Sequence, residues 1–127
     1  MQEHETGKKA GAEHDRAGDV VIRGIADVFR EELRRYDVPS RFGGDEFCVL
    51  LPATPPAEAA EIAERVRTAV AGREFTAEGS SVALRATVSV GLACSADVVS
   101  SRQELVHRAD LAAYEAKATG GNRCILA

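Results

Sequence analysis

Two adjacent glycines followed by two carboxylates, Gly43-Gly44-Asp45-Glu46, separate two short stretches of β character. Glycine adopts backbone angles that other residues resist, so the pair predicts a tight turn joining the two stretches as a hairpin. The second stretch, Phe47 to Leu51 (FCVLL), is almost continuously apolar. Such a run suits a strand buried on both faces. The first, Val38 to Phe42, has a weaker pattern. A hairpin of this kind commits the chain to a fold built around a sheet.

Helical patterns surround it. From near Arg16, Val21, Ile25, Phe29 and Leu33 recur every four residues, and Ile22, Ala26 and Val28 widen the stripe. This helix should stop before Pro39, because the residue preceding a proline avoids the helical region. Thr54, followed by Pro55 and Pro56, predicts a second helix opened by a capping hydroxyl. Ala59, Ile62, Ala63, Val66 and Val70 form its apolar face, and Gly72 is its expected stop. Leu84 to Ala93 alternates as a strand, with Leu84, Ala86, Val88 and Val90 on one face. Ser101 to Glu104 is a capping box for a third helix reaching about Thr119, ended by Gly120 and Gly121. Cys124 to Leu126 makes a last short strand. The order helix, strand, turn, strand, helix, strand, helix, strand predicts an α+β fold with a mixed, largely antiparallel sheet flanked by helices.

A chain of 127 residues fits one domain, and 45% hydrophobic residues argue against disorder. The net charge of -4 gives no support to a nucleic-acid surface. A nucleotide substrate remains open, since a divalent metal can bring the positive charge. Cys48, Cys94 and Cys124 show no CxxC spacing and are expected as buried thiols in a reducing compartment. His4, His14 and His107 lack metal-ligand spacing. No apolar run approaches about 18 residues, so no membrane segment is expected, and the polar start has no secretory pattern. A cytoplasmic chain is the expectation. Residues 1–12 read as a flexible tail, with the domain occupying 13–127.

Two chemical constellations stand out. A carboxylate pair at a hairpin tip is most often a solvated turn. The same four residues also suit a nucleotide: glycines let a phosphate approach the backbone, and Asp45 and Glu46 supply hard oxygen ligands for Mg²⁺. Just upstream, Arg34 and Asp37 are three apart, with Arg35 and Arg41 nearby. They form either a local ion pair or a fork that binds a phosphate or a guanine edge.

The surrounding motifs resemble the GGDEF family of diguanylate cyclases. Arg41 to Phe47 (RFGGDEF) runs into CVLLP as the family pattern does. His14 to Asp19 (HDRAGD) and the helix after it are similar to the GHxxGDxxL segment. Ala60 to Val66 (AEIAERV), Thr87 to Ala93 (TVSVGLA) and Arg108 to Arg123 (RADLAAYEAKATGGNR) resemble the later family motifs, in order. The resemblance implies a palm-like nucleotide-cyclase fold. It implies condensation of two GTP into cyclic di-GMP with release of pyrophosphate, across a homodimer in which each domain holds one GTP. Mg²⁺ (or Mn²⁺) is the implied cofactor.

Carried over by position, Asp45 would ligate the metal, and Glu46 would assist it or activate the attacking hydroxyl. Gly43 and Gly44 would line the nucleotide, Asp19 would contact the guanine, and Lys117 the triphosphate. Asp19 read without the family is an acid favoured by a helix N-terminus. Arg34 to Asp37 (RRYD) fits the RxxD inhibitory site where product binds, with Arg65 at a second-site arginine position. The family's apolar first strand ending in DxDxFK is not in the sequence, so a partial domain lacking that strand and its metal aspartate is implied. The base-reading Asn falls on Lys9 or Ala10, and Gly121 stands where a phosphate-contacting arginine is expected. These departures support a second expectation: a catalytically weak domain that binds cyclic di-GMP or GTP.

Overall fold

The computed structural model describes residues 2–5, 12–95 and 101–127, with side chains described from Ala17 onward. The order is β1 (Gln2–Glu5), α1 (Ala12–Glu32), β2 (Val38–Gly43), β3 (Glu46–Leu50), α2 (Pro56–Ala71), β4 (Phe75–Thr76), β5 (Ala83–Leu84), β6 (Ala86–Leu92), α3 (Arg102–Ala118) and β7 (Cys124–Leu126). Five strands form one sheet in the order β2-β3-β1-β6-β7, and β4 pairs with β5 separately. All pairings are antiparallel except β6 with β7. The α+β expectation and its largely antiparallel sheet are therefore met.

Strand parity defines the layers. Ala86, Val88, Val90 and Leu92 of β6 belong to the buried cluster with Val21, Ile25 and Phe29 of α1 and Ala63, Val66 and Val70 of α2. Gly91, of opposite parity, lies against the backbone of α3 at Ala109 and Ala113. Helices α1 and α2 thus cover one face of the sheet, and α3 covers β6 on the other. Phe47 of β3 enters the α1 side, where its ring meets Phe29 edge to face at 5.4 Å. Such a pair adds roughly 0.5–1.5 kcal/mol beyond the area it buries.

Four expectations are corrected. Gln2–Glu5, expected within a flexible tail, runs as a strand inside the sheet between β3 and β6. Pairing uses backbone groups, so two neighbouring strands can recruit a segment with poor β composition. The rest of that expectation, at residue 1 and residues 6–11, falls outside the described residues, and Ala12 already belongs to α1. Helix α1 begins at Ala12 rather than near Arg16. Thr54 does not cap α2: Pro55 is the N-cap, with no side-chain cap, and the Thr54 hydroxyl donates to the Pro52 carbonyl at 2.8 Å. Leu84 belongs to β5, leaving Ala86, Val88 and Val90 to continue the predicted face into Leu92. The Ser101 cap is as expected, its hydroxyl accepting from the Glu104 amide at 3.1 Å. The three cysteines are half-buried and unpaired in disulfides, and His107 is exposed on α3. Among the described residues, no helix is long and apolar enough to cross a membrane.

Candidate functional site

The β2–β3 hairpin forms as the glycine pair predicts. Its register runs Val38↔Leu50 through Arg41↔Phe47, then shifts, so that Gly43 faces Glu46. Gly43 has φ +126° and Gly44 φ +52°, and a Cβ at either would meet nothing within 4 Å. Glycine is thus required by backbone conformation, while the space beside the turn is open. Arg41 braces the turn from below: its Nε and Nη2 donate to the Gly44 carbonyl at 3.0 and 2.6 Å. The guanidinium that the sequence groups with Arg34 and Arg35 as positive charge is therefore engaged in shaping the hairpin. Asp45 is exposed at the tip, and Glu46 is half-buried as the first residue of β3.

The second constellation is assembled by the end of α1. The Arg34 amide donates to Asp37 Oδ2 at 2.8 Å, and Arg34 Nη2 donates to Oδ1 at 2.8 Å. Arg34 Nε reaches both carboxylate oxygens, at 3.2 and 3.1 Å. The Asp37 side chain is wholly buried, and Arg34 retains 19% exposure. Arg34 Nη1 donates to Glu58 Oε1 of α2 at 3.0 Å, and Nη2 also reaches the Thr54 hydroxyl. The Tyr36 ring lies 4.8 Å from the Arg34 guanidinium carbon. Hydrogen bonding from Arg34 holds the Asp37 carboxyl below the usual carboxylate range, against the opposing effect of burial. Arg65 lies on the same side: its Nη2 donates to the Glu32 carbonyl at 3.0 Å, and its charge also favours ionised Asp37.

The sequence links neither Glu58 nor Thr54 to Arg34. Both lie over 15 residues from Arg34, and Thr54 reads there as a cap. The available signal was Glu58 itself, an acid in the first turn of α2.

A cavity of about 540 Å³ opens between α1 and β2. Arg34, Arg35 and Asp37 line one part, and Arg41 and Phe47 line the part nearer the hairpin. The structure thus brings Arg34, Asp37 and Arg41 to one recess. Asp19 and Lys117 line neither this cavity nor the second one beside β3. Asp19 is exposed, seven residues into α1, so the expected place at a helix N-terminus is corrected. Lys117 is exposed in the last turn of α3, where a cation complements the helix dipole. Among the described residues, no three His, Cys, Asp or Glu side chains converge as a metal cluster.

Residues 14–123 match the family described as diguanylate cyclase, GGDEF domain. The chain is 39% identical over 112 residues to the response regulator PleD of Caulobacter vibrioides, covering 88% of this chain and 24% of PleD. Its fold is similar to the GGDEF domain of PA1120 (YfiN or TpbB) from Pseudomonas aeruginosa. That match has a TM-score of 0.79 and 33% identity, and covers 89% of this chain and 70% of that one. The GGDEF domain of DgcB from Caulobacter crescentus, solved in complex with c-di-GMP, is similar at a TM-score of 0.74 and 27% identity. Coverage there is 87% and 65%. The chain spans about a quarter of the length of PleD. With the double-glycine hairpin at the end of β2 and β3 and a family match over most of its length, the chain belongs to the GGDEF domain family of diguanylate cyclases.

Proposed function

We propose that this chain is a diguanylate cyclase domain that joins two GTP molecules into cyclic di-GMP and releases pyrophosphate. The observation that carries this reading is the open turn. Gly43 and Gly44 leave unfilled space above the backbone, and Asp45 and Glu46 follow at its edge. The two carboxylates fit Mg²⁺ or Mn²⁺ chemically: Mg²⁺ needs only one or two carboxylates and completes its six positions with phosphate oxygens and water. Asp45 and Glu46 would hold it, and when bound it supplies charge stabilisation at the reacting phosphate.

The chain's own residues do the positioning. Gly43 and Gly44 admit a phosphate without Cβ interference. Glu46 orients the 3′-hydroxyl that attacks the α-phosphate of the GTP on the facing domain; the new P–O bond forms as pyrophosphate leaves. Asp19 and Lys117, both exposed, contact the guanine and the triphosphate in the proposed complex. Two copies face each other across a two-fold axis, so the reaction needs a homodimer. Product binds at Arg34 and Asp37, with Arg65 as a further contact, and inhibits.

Incubation with GTP and Mg²⁺, followed by chromatography, tests this reading. Cyclic di-GMP should accumulate, with a rate per domain that rises with domain concentration. No product at high protein concentration would sink it. Gly121, standing where the family resemblance expects an arginine, favours a second reading: a weakly active domain that binds cyclic di-GMP or GTP. Calorimetric titration of cyclic di-GMP into wild type and Arg34→Ala separates the two, since equal binding by both removes the receptor role.

A further inference from the structure

The hairpin and the turn that follows α3 open at the same end of the sheet. Strand β1 is antiparallel to both β3 and β6, and β7 is parallel to β6, so β3, β6 and β7 all start from one end. Register sets their levels. Gln2 faces Glu46 on one side and Ser89 on the other, and Cys124 lies opposite Val90. Arg123, one residue before Cys124, is therefore level with Ser89 and shares a row with Glu46. Three strand spacings separate the two, about 14 Å. A triphosphate and one long cationic side chain can bridge that distance.

The turn holds a guanidinium over its own backbone. Gly120, Gly121 and Asn122 have φ +123°, +69° and +49°, so the chain reverses through left-handed conformations. The Gly121 amide donates to the Ala116 carbonyl at 2.9 Å, and the Arg123 carbonyl accepts from the Val90 amide at 2.9 Å. From α2, Arg67 Nη1 donates to Asn122 Oδ1 at 2.8 Å. Arg123 folds back over this fixed backbone. Its Nε donates to the Gly121 carbonyl at 3.2 Å, and a Cβ on Gly120 would lie 2.7 Å from its Nη2. The missing Cβ of Gly120 is thus what leaves room for the guanidinium.

Among the described residues, the Nε bond is the only one the guanidinium makes, and no carboxylate pairs with it. The turn does not need Arg123 to hold it, because Arg67 already ties Asn122 to α2, with Glu64 as its counter-charge. The outer nitrogens Nη1 and Nη2 remain for a group outside the fold. A planar cation anchored by its inner nitrogen, with both outer nitrogens free, suits a pair of phosphate oxygens. Lys117, exposed three residues before Gly120, adds a second positive charge at the same end of α3. Gly121 brings no side chain of its own.

We propose that Arg123 is a triphosphate-binding residue of this chain, its guanidinium supplying from two residues downstream the phosphate contact that Gly121 lacks. This rests on the cyclase reading. The α-phosphate is the reacting one, beside the hairpin, so a contact from the far side of the sheet end falls on the outer two phosphates, which leave as pyrophosphate.

Calorimetry on the full chain with Mg²⁺ and two nucleotides tests it. 3′-Deoxy-GTP keeps the triphosphate but lacks the attacking hydroxyl, so it binds without turnover, and GMP carries the α-phosphate alone. Arg123→Ala should weaken 3′-deoxy-GTP binding about tenfold or more, the loss expected for a charge-assisted hydrogen bond, and leave GMP binding within about twofold. Arg123→Lys should fall between alanine and wild type for the triphosphate, because the charge remains without the fork. Equal weakening of both nucleotides by Arg123→Ala would overturn the proposal, since that is the signature of a collapsed turn. Unchanged affinity for 3′-deoxy-GTP would overturn it as well and leave the cyclase reading standing. Wild type that binds neither nucleotide would remove the cyclase reading, and this contact with it.

Discussion

Arg34 closes over Asp37 with its backbone amide and two guanidinium nitrogens, and the Asp37 side chain beneath has no exposed surface. Hydrogen bonding to Arg34 is the main cause that holds the Asp37 carboxyl below its usual range. A carboxylate whose folded value is depressed contributes stability above its unfolded value, and that contribution is lost as pH falls through the folded value. Asp37→Asn should be less stable than wild type near neutrality. The gap between the two should narrow below about pH 4, where the unfolded wild-type carboxyl takes up its proton. Urea unfolding across this range measures it, and parallel pH profiles would contradict the assigned role of the carboxylate.

The two turn glycines should differ in what they tolerate. Gly44 lies at φ +52°, a left-handed angle that asparagine adopts with little strain. Gly43 lies at φ +126°, where almost any side chain is strained, at a cost of order 1–3 kcal/mol. Space is open at both positions, so the contrast is one of backbone alone. Gly44→Asn should keep near-native stability, and Gly43→Asn should lose about 1–3 kcal/mol in chemical denaturation. Equal losses would show that the turn is held by something other than these angles.

Asp45 and Glu46 separate function from stability. Asp45 is exposed at the tip, so Asp45→Ala should leave the unfolding midpoint nearly unchanged, within about 0.5 kcal/mol. If the proposed cyclase reading holds, the same change removes a metal oxygen, and Glu46→Gln removes the group that orients the attacking hydroxyl. Cyclic di-GMP formation should fall by about 100-fold or more in each, the usual scale for a positioned acid–base group. Activity within threefold of wild type in both variants would reassign the turn to a solvated loop.

Burial and the neighbouring Glu64 push the Cys124 thiol up to about 12 from an ordinary 9.0, while Arg67 pulls the other way. Thiolate is the reactive form, so Cys124 in the folded protein holds on the order of a thousandth of the thiolate of an unperturbed cysteine. Iodoacetamide at mild alkaline pH should label Cys124 far more slowly in native protein than in urea. Mass spectrometry of the peptide ending the chain reads this directly, and similar rates in both states would mean that β7 opens readily.

Much of this arrangement was legible in the residues. Periodicity marked α1 and α2, and the apolar faces it named, such as Ile25 and Val66, are buried. The glycine pair located the hairpin because its conformational need is local. What the sequence hid was tertiary. Thr54 and Pro55 read as a helix cap, yet Arg34, twenty residues earlier, takes up the Thr54 hydroxyl. Gln2–Glu5 carries no β signal, and its strand depends on the edges of β3 and β6. Arg34 and Asp37 were visible as a pair. The burial of one beneath the other, and the link to Glu58 in α2, came only with folding.

Close approach between α3 and β6 rests on Gly91, and its replacement should be costly. A Cβ there would lie 2.0 Å from the Ala109 carbonyl oxygen and 2.2 Å from the Ala113 amide nitrogen. Both are helix backbone, so relief requires the whole of α3 to move, which also disturbs the buried contacts of Ala112 and Ala116. Overpacking of this kind costs roughly 1–3 kcal/mol or more. Gly24 on α1 offers a matched comparison, since its Cβ would meet the Phe75 ring at 2.0 Å. A ring on the short strand β4 can shift where a helix backbone cannot. Gly91→Ala should therefore destabilise more than Gly24→Ala in urea unfolding, although alanine favours the helix at position 24 and disfavours nothing in the extended backbone at 91. If Gly24→Ala proves the worse, the Phe75 ring rather than the α3–β6 contact is the rigid element of the fold.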